Sequence, residues 1–315
     1  MRRIKNTNRI FNAATKLSHL PTEQSNADAR NLDLKSSLEV ARIINAEDAK
    51  VAAAVTAALP QIARGIDLIA KALKQGGRLI YAGAGTSGRL AALDASECPP
   101  TFNTDPKTVQ FVIAGGTKAL HIATEASEDS RELGRREIAK KKPGKNDVVV
   151  GIAASGRTPF TIAAVEYARR HGAKTIAVIC NAASPLEKAA HLAIVAEVGP
   201  EVIAGSSRMK AGTAQKIILN MLSSGAMIQL GCVYGNLMIN VQVKNHKLRE
   251  RGLSILQQAA GINREAAEQA LHASGDSVPV ALVMLEANVN RTRASRALKS
   301  TSGNVRQAIA TATKT

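Results

Sequence analysis

An apolar run that ends in glycines and hydroxyls and then continues as a helical pattern constrains this chain most, because it occurs twice. The first copy is Arg78-Leu-Ile-Tyr-Ala-Gly-Ala-Gly-Thr-Ser-Gly-Arg89, and the second is Asp147-Val-Val-Val-Gly-Ile-Ala-Ala-Ser-Gly-Arg-Thr-Pro159. Each predicts a strand, a tight loop and a helix. Glycine permits positive φ and a close approach of backbone to ligand. N–H groups at a helix start also face an anion with the helix dipole behind them. Gly85, Thr86 and Ser87 in the first loop, and Ser155, Gly156 and Thr158 in the second, are therefore candidate phosphate ligands.

The first loop spells G-x-G-x-x-G, which in a dinucleotide fold is followed about 20 residues later by an acid that holds a ribose. Asp105 lies roughly there. A dinucleotide site has no use for a second Ser/Thr loop, whereas a phosphate gripped from two sides needs one. The pair of loops favours a sugar phosphate.

Further strands are predicted at Val109 to Ala114, Lys174 to Cys180 and His191 to Val195, with two helices ahead of the first strand, at Ser36 to Ala58 and Pro60 to Lys74. Pro99-Pro100 is expected to stop the helix after the first loop, and Gly115-Gly116 to open one long helix reaching Lys142. Apolar strands alternating with helices imply right-handed parallel βαβ units, hence an α/β fold with a doubly wound parallel sheet of about five strands. Ligands of such sheets bind beyond the carboxyl ends of the strands. A third polar loop, Gly199 to Thr213, falls there too and offers Ser206, Ser207, Arg208 and Lys210 as candidate substrate contacts ahead of a helix running past Gln229.

The organisation read from these patterns is an arm and helix at 1–59, the sheet domain at 60–250 and a small helical appendage at 251–315. The spacing of the appendage's three or four short helices resembles ubiquitin-associated modules, without implying their role.

A net charge of +17 attracts any phosphate, in nucleic acid or in a small molecule. Aromatic content of 2% leaves little to stack on bases, and the basic residues are scattered, so no nucleic-acid partner is expected. No apolar run of about 18 residues exists to span a membrane. Cys98, Cys180 and Cys232 lack metal spacing and read as reduced thiols of a cytoplasmic protein.

Four stretches carry a family resemblance: Gly83 to Arg89, Leu93-Asp-Ala-Ser-Glu-Cys-Pro-Pro-Thr-Phe102, Val150 to Pro159, and Gly205-Ser-Ser-Arg-Met-Lys-Ala-Gly-Thr-Ala-Gln215. Together they are similar to the N-acetylmuramic acid 6-phosphate etherases of the sugar isomerase (SIS) superfamily, from about Leu20 to the C-terminus. A longer basic N-terminus, extra lysine at 140–145 and Thr117 depart from the family without touching the motifs.

The resemblance implies cleavage of the D-lactyl ether of the muramic acid phosphate, giving N-acetylglucosamine 6-phosphate and D-lactate, with no cofactor and no metal. It carries the catalytic glutamates onto Glu97 and Glu128. Between Thr86 and Glu97 a continuous helix would place the carboxylate ~15 Å from its own phosphate loop. Either the chain turns back, or Glu97 serves a site across a subunit boundary, which predicts a homodimer. Two alternatives share the loops: a non-catalytic phosphosugar-sensing regulator, which could dispense with either glutamate, and a phosphosugar isomerase, which leaves the Glu97 run unexplained.

Overall fold

Five short strands form one all-parallel sheet: β1 (Leu79–Gly83), β2 (Val109–Ile113), β3 (Val148–Ile152), β4 (Lys174–Ile179) and β5 (Leu192–Val195). The structure is a computed structural model describing residues 20–122, 125–243 and 245–314. The first 19 residues of the expected N-terminal arm lie outside this range. The strands are apolar throughout because helices cover both faces of the sheet. Leu79, Tyr81, Val148 and Val150 turn into one core, while their neighbours Ile80, Ala82 and Val149 turn into another, as a period of two requires.

Helices α1 (Ser37–Ala57), α2 (Leu59–Lys74), α3 (Gly85–Phe102) and α8 (Lys210–Gln229) cover the first face. Helices α5 (Arg131–Lys140), α6 (Pro159–Arg170) and the short α7 (Pro185–Ala189) cover the second, and α4 (Glu125–Glu128) is a single turn ahead of α5. Ser36 starts α1 with a capping box, its N–H donating to Glu39 Oε2 at 2.9 Å.

The strand order is β2-β1-β3-β4-β5. The chain leaves β1 in one direction to make β2 and returns on the other side to make β3. The helices connecting these strands therefore diverge at the carboxyl ends of β1 and β3, opening a crevice. Both hydroxyl loops end there.

Two helix boundaries differ from expectation. α3 runs through Pro99 and Pro100 to Phe102. Proline withholds an N–H, but this loss falls late in the helix, where continuing it buries Phe102. Asn103, in the left-handed region at φ 56, then ends the helix by donating its N–H to the Pro99 carbonyl at 2.9 Å. The long helix expected from Gly115 to Lys142 is instead a 3-10 turn at Gly116–Leu120, then α4, then α5. Ser130 makes the break: its backbone is extended, and its hydroxyl accepts the Leu133 N–H at 3.1 Å, giving α5 an N-cap of its own.

The C-terminal helices are α9 (His246–Ala260), α10 (Arg264–Ala273), α11 (Val278–Ala287), α12 (Arg291–Ser300) and α13 (Val305–Thr313). Leu253, Leu271, Leu282 and Leu298 centre a separate apolar cluster, joined by Ile239 and Val241 from the chain ahead of α9. Among the described residues α13 adds a fifth helix to the three or four expected.

Candidate functional site

The first loop places its donors by starting α3 immediately beyond β1. Ala84 is extended and Gly85, at φ 51, enters the helix. A Cβ on Gly85 would lie 2.9 Å from Glu128 Oε1, so the missing side chain is what lets this carboxylate lie against the loop. Ser87, nearly buried, donates its hydroxyl to Gln215 Oε1 on α8 at 2.9 Å, which ties the loop to the third element of the site.

The second loop follows β3. The Ser155 hydroxyl accepts the Arg157 N–H at 3.2 Å, and Pro159 opens α6 directly after Thr158. The third loop ends at α8, whose first residues need partners for their N–H groups. Fully buried Glu201 supplies them, accepting from the Lys210 and Ala211 N–H groups at 2.9 Å each. Burial raises the pKa of Glu201, and those two hydrogen bonds hold the rise down.

The three loops and α4 enclose a polar cavity of ≈ 400 Å³ at the crevice. Gly85, Thr86, Ser87, Ser155 and Thr158 line it together with Ser206 and Ser207, and Glu128 projects into it. Arg89, Arg208 and Glu23 complete the wall. This size lies within the range of small-molecule sites. A larger cleft of ≈ 760 Å³ lies along the edge strand β2, lined mainly by apolar side chains with Lys107, Lys140 and Lys141 at its margin. The smaller cavity is the candidate site, because convergent hydroxyls, guanidiniums and carboxylates occupy the switch point there.

Three expected site residues lie elsewhere. Gly156, at φ 67, faces Ser184: a Cβ there would come within 2.3 Å of the Ser184 hydroxyl, so the glycine lets the second loop pass under the start of α7. Lys210 is 1% exposed, and its Nζ pairs with Glu47 Oε2 on α1 at 2.5 Å. Its observed role is to join α8 to α1, not the substrate contact expected of it. Burial alone would raise the pKa of Glu47, but hydrogen bonds from Lys210, Lys50 and Asn26 pull it down to about 2. Glu97 is exposed on α3, which is helical without a break from Gly85, so it lies ~15 Å along the helix from Thr86. The chain does not turn back before it.

α3 is fixed from below. Asp94 accepts hydrogen bonds from the Tyr81 hydroxyl at 2.7 Å, Asn220 at 2.9 Å and Ser223 at 3.1 Å. Burial raises the pKa of Asp94 and of Tyr81. Burial also pushes the Cys98 thiol up to about 12, which makes it an inert core group.

Asp105, the candidate ribose acid, accepts the Lys107 N–H at 2.7 Å in the turn that leads into β2. That turn is at the amino ends of the strands, opposite the cavity. Sequence reading missed Glu23 and Arg89 as wall residues. Glu23 sits in a polar stretch without periodicity, where the one available signal was Pro21 opening a turn.

Residues 61–169 match the family model for the glucokinase regulatory protein N-terminal SIS domain, and residues 141–224 match the SIS domain. Among curated relatives, an N-acetylmuramic acid 6-phosphate etherase of Symbiobacterium thermophilum is 56% identical, covering 87% of this chain and 91% of its own length. One from Photorhabdus laumondii is 50% identical, covering 93% and 97%. A phosphoheptose isomerase structure from Francisella tularensis superposes with a TM-score of 0.50 at 19% identity, covering 62% of this chain and 100% of that one, a likeness of fold alone.

Proposed function

The chain belongs to the N-acetylmuramic acid 6-phosphate etherase family, and from that premise we infer that it is a carbon–oxygen lyase acting in cytoplasmic cell-wall sugar recycling. It cleaves the D-lactyl ether of N-acetylmuramic acid 6-phosphate to give N-acetylglucosamine 6-phosphate and D-lactate. One observation carries this reading furthest: the cavity combines three hydroxyl loops, which suit a phosphate, with the Glu128 carboxylate set against the first of them.

The chemistry follows from the open-chain sugar. The C1 aldehyde acidifies the proton at C2. Removing it leaves an enolate that expels lactate from C3, and water then adds to the resulting double bond at C3 while a proton returns to C2. Each half needs one group to move the C2 proton and one to serve the departing or arriving oxygen, worth about 10²–10⁴-fold apiece. Glu128 and Glu97 divide these tasks. The hydroxyls of Thr86, Ser155, Ser206 and Ser207 and the N-terminal ends of α3 and α6 hold the phosphate. Neither half calls for a cofactor.

Glu128 acts within its own protomer and Glu97 reaches the site from a second copy, so the working form is a homodimer. The outward face of α3 supports this: Leu93, 50% exposed among the described residues, stands one turn before Glu97.

D-lactate release from N-acetylmuramic acid 6-phosphate in deuterated water tests the reading. Wild-type protein yields lactate and deuterium at C2 of the product, and Glu97→Ala and Glu128→Ala suppress the release of lactate. Saturable binding of the sugar phosphate without lactate would point to a sensor.

A further inference from the structure

We propose that Glu23 is a substrate-contacting residue, one that accepts a hydrogen bond from the sugar and so selects the sugar rather than the phosphate. The inference rests on the phosphosugar reading of the cavity.

Glu23 is placed, not merely nearby. It ends the short 3-10 turn Pro21–Glu23, and anchors flank it on both sides. Thr22 is buried, and its hydroxyl accepts from Asn181 Nδ2, just beyond β4, at 3.0 Å; Asn181 also donates to the Ala154 carbonyl at 3.1 Å. Asn26 donates to the Pro200 carbonyl at 3.2 Å and to Glu47 of the buried pair with Lys210. The segment therefore straps the second loop to the third. Its Glu23 carboxylate meets the third loop at Gly205, Oε2 lying 3.2 Å from where a Cβ there would sit, and lines the cavity. It forms no ion pair among the described residues.

An ionised carboxylate only accepts hydrogen bonds. A phosphate dianion offers it none and repels it, so the phosphate lies on the hydroxyl loops, away from Glu23. The remaining partners are the sugar's own donors, its hydroxyls and its acetamido N–H. A hydrogen bond to a charged acceptor in a partly enclosed site is strong enough to discriminate among sugars.

Calorimetric titration of N-acetylglucosamine 6-phosphate, glucose 6-phosphate and inorganic phosphate into wild type, Glu23→Ala and Glu23→Gln tests this, with thermal melting of each variant alongside. Glu23→Ala is expected to weaken both sugar phosphates, or only the acetamido one if the N–H is the partner, by about tenfold or more. Inorganic phosphate should bind as well as before or better, Glu23→Gln should be intermediate, and melting temperatures should match. Equal losses for sugar phosphates and phosphate, or no loss at all, would overturn the proposal. Absence of sugar-phosphate binding by the wild type would overturn it as well. Tight binding by a wild type that releases no lactate would remove the lyase reading while leaving Glu23 in its role.

Discussion

The seam where α8 meets α1 and α3 and the outward face of α3 contrast in what each does with charge. In the seam the buried Lys210 and Asp94 are both partnered: Lys210 lies on Glu47, and Asp94 takes hydrogen bonds from Tyr81, Asn220 and Ser223. On the outward face, Leu93, just before Asp94, and Glu97, about one turn after it, are exposed. Burial is costly for a charge unless its partners are exact, so the seam is a frame that holds the loops still. The outward face has no such demand inside the protomer, and the proposed second copy would supply its other half.

The strongest test of the contrast mixes two inactive proteins. Glu97→Ala and Glu128→Ala should each lose about 10²–10⁴-fold in lactate release. Refolded together at equal concentration, they should recover about a quarter of wild-type activity, because half the dimers are hybrid and each hybrid has one complete site. No recovery, with both variants dimeric, would place Glu97 and Glu128 in one protomer's site.

Within the seam, Glu47→Gln leaves Lys210 buried without its counter-charge and should cost about 3–5 kcal/mol of unfolding free energy, read by urea titration. The effect has a pH signature. The pKa of Glu47 falls from 4.5 to about 2 on folding, so its contribution is present above pH 4.5 and is lost as the pH drops towards 2. The gap between wild type and variant should therefore close on acidification through that window.

Asp94→Asn should cost about 1–3 kcal/mol at pH 7, since an amide turns an N–H₂ towards groups that donate. Here the pH trend reverses. The pKa of Asp94 is raised by burial, so its contribution is complete below 3.8 and fades as the pH rises, and the gap should widen in acid. On the outward face Ser96, whose hydroxyl only donates back to its own helix at the Leu93 carbonyl, should tolerate Ser96→Ala within about 0.5 kcal/mol. A large loss there would mean that the outward face is as tightly framed as the seam.

The sequence alone determined the strands, their parallel sense and the three polar loops, because each rests on local signals: apolar runs, glycines, hydroxyls and the alternation of periods. It also determined the family, through contiguous motifs. Tertiary structure decided what depends on neighbours distant in the chain. Pro99-Pro100 failed to stop α3 because Phe102, beyond them, had a core to enter. Lys210 became part of the frame because Glu47, 163 positions earlier, lies against it. Glu23 became part of the site because Asn181 and Pro200 hold its flanks. The unbroken course of α3 carried Glu97 out of its own pocket. A sequence shows which groups can act, but which of them share a cavity is fixed only when burial and pairing energies are settled among elements far apart in the chain.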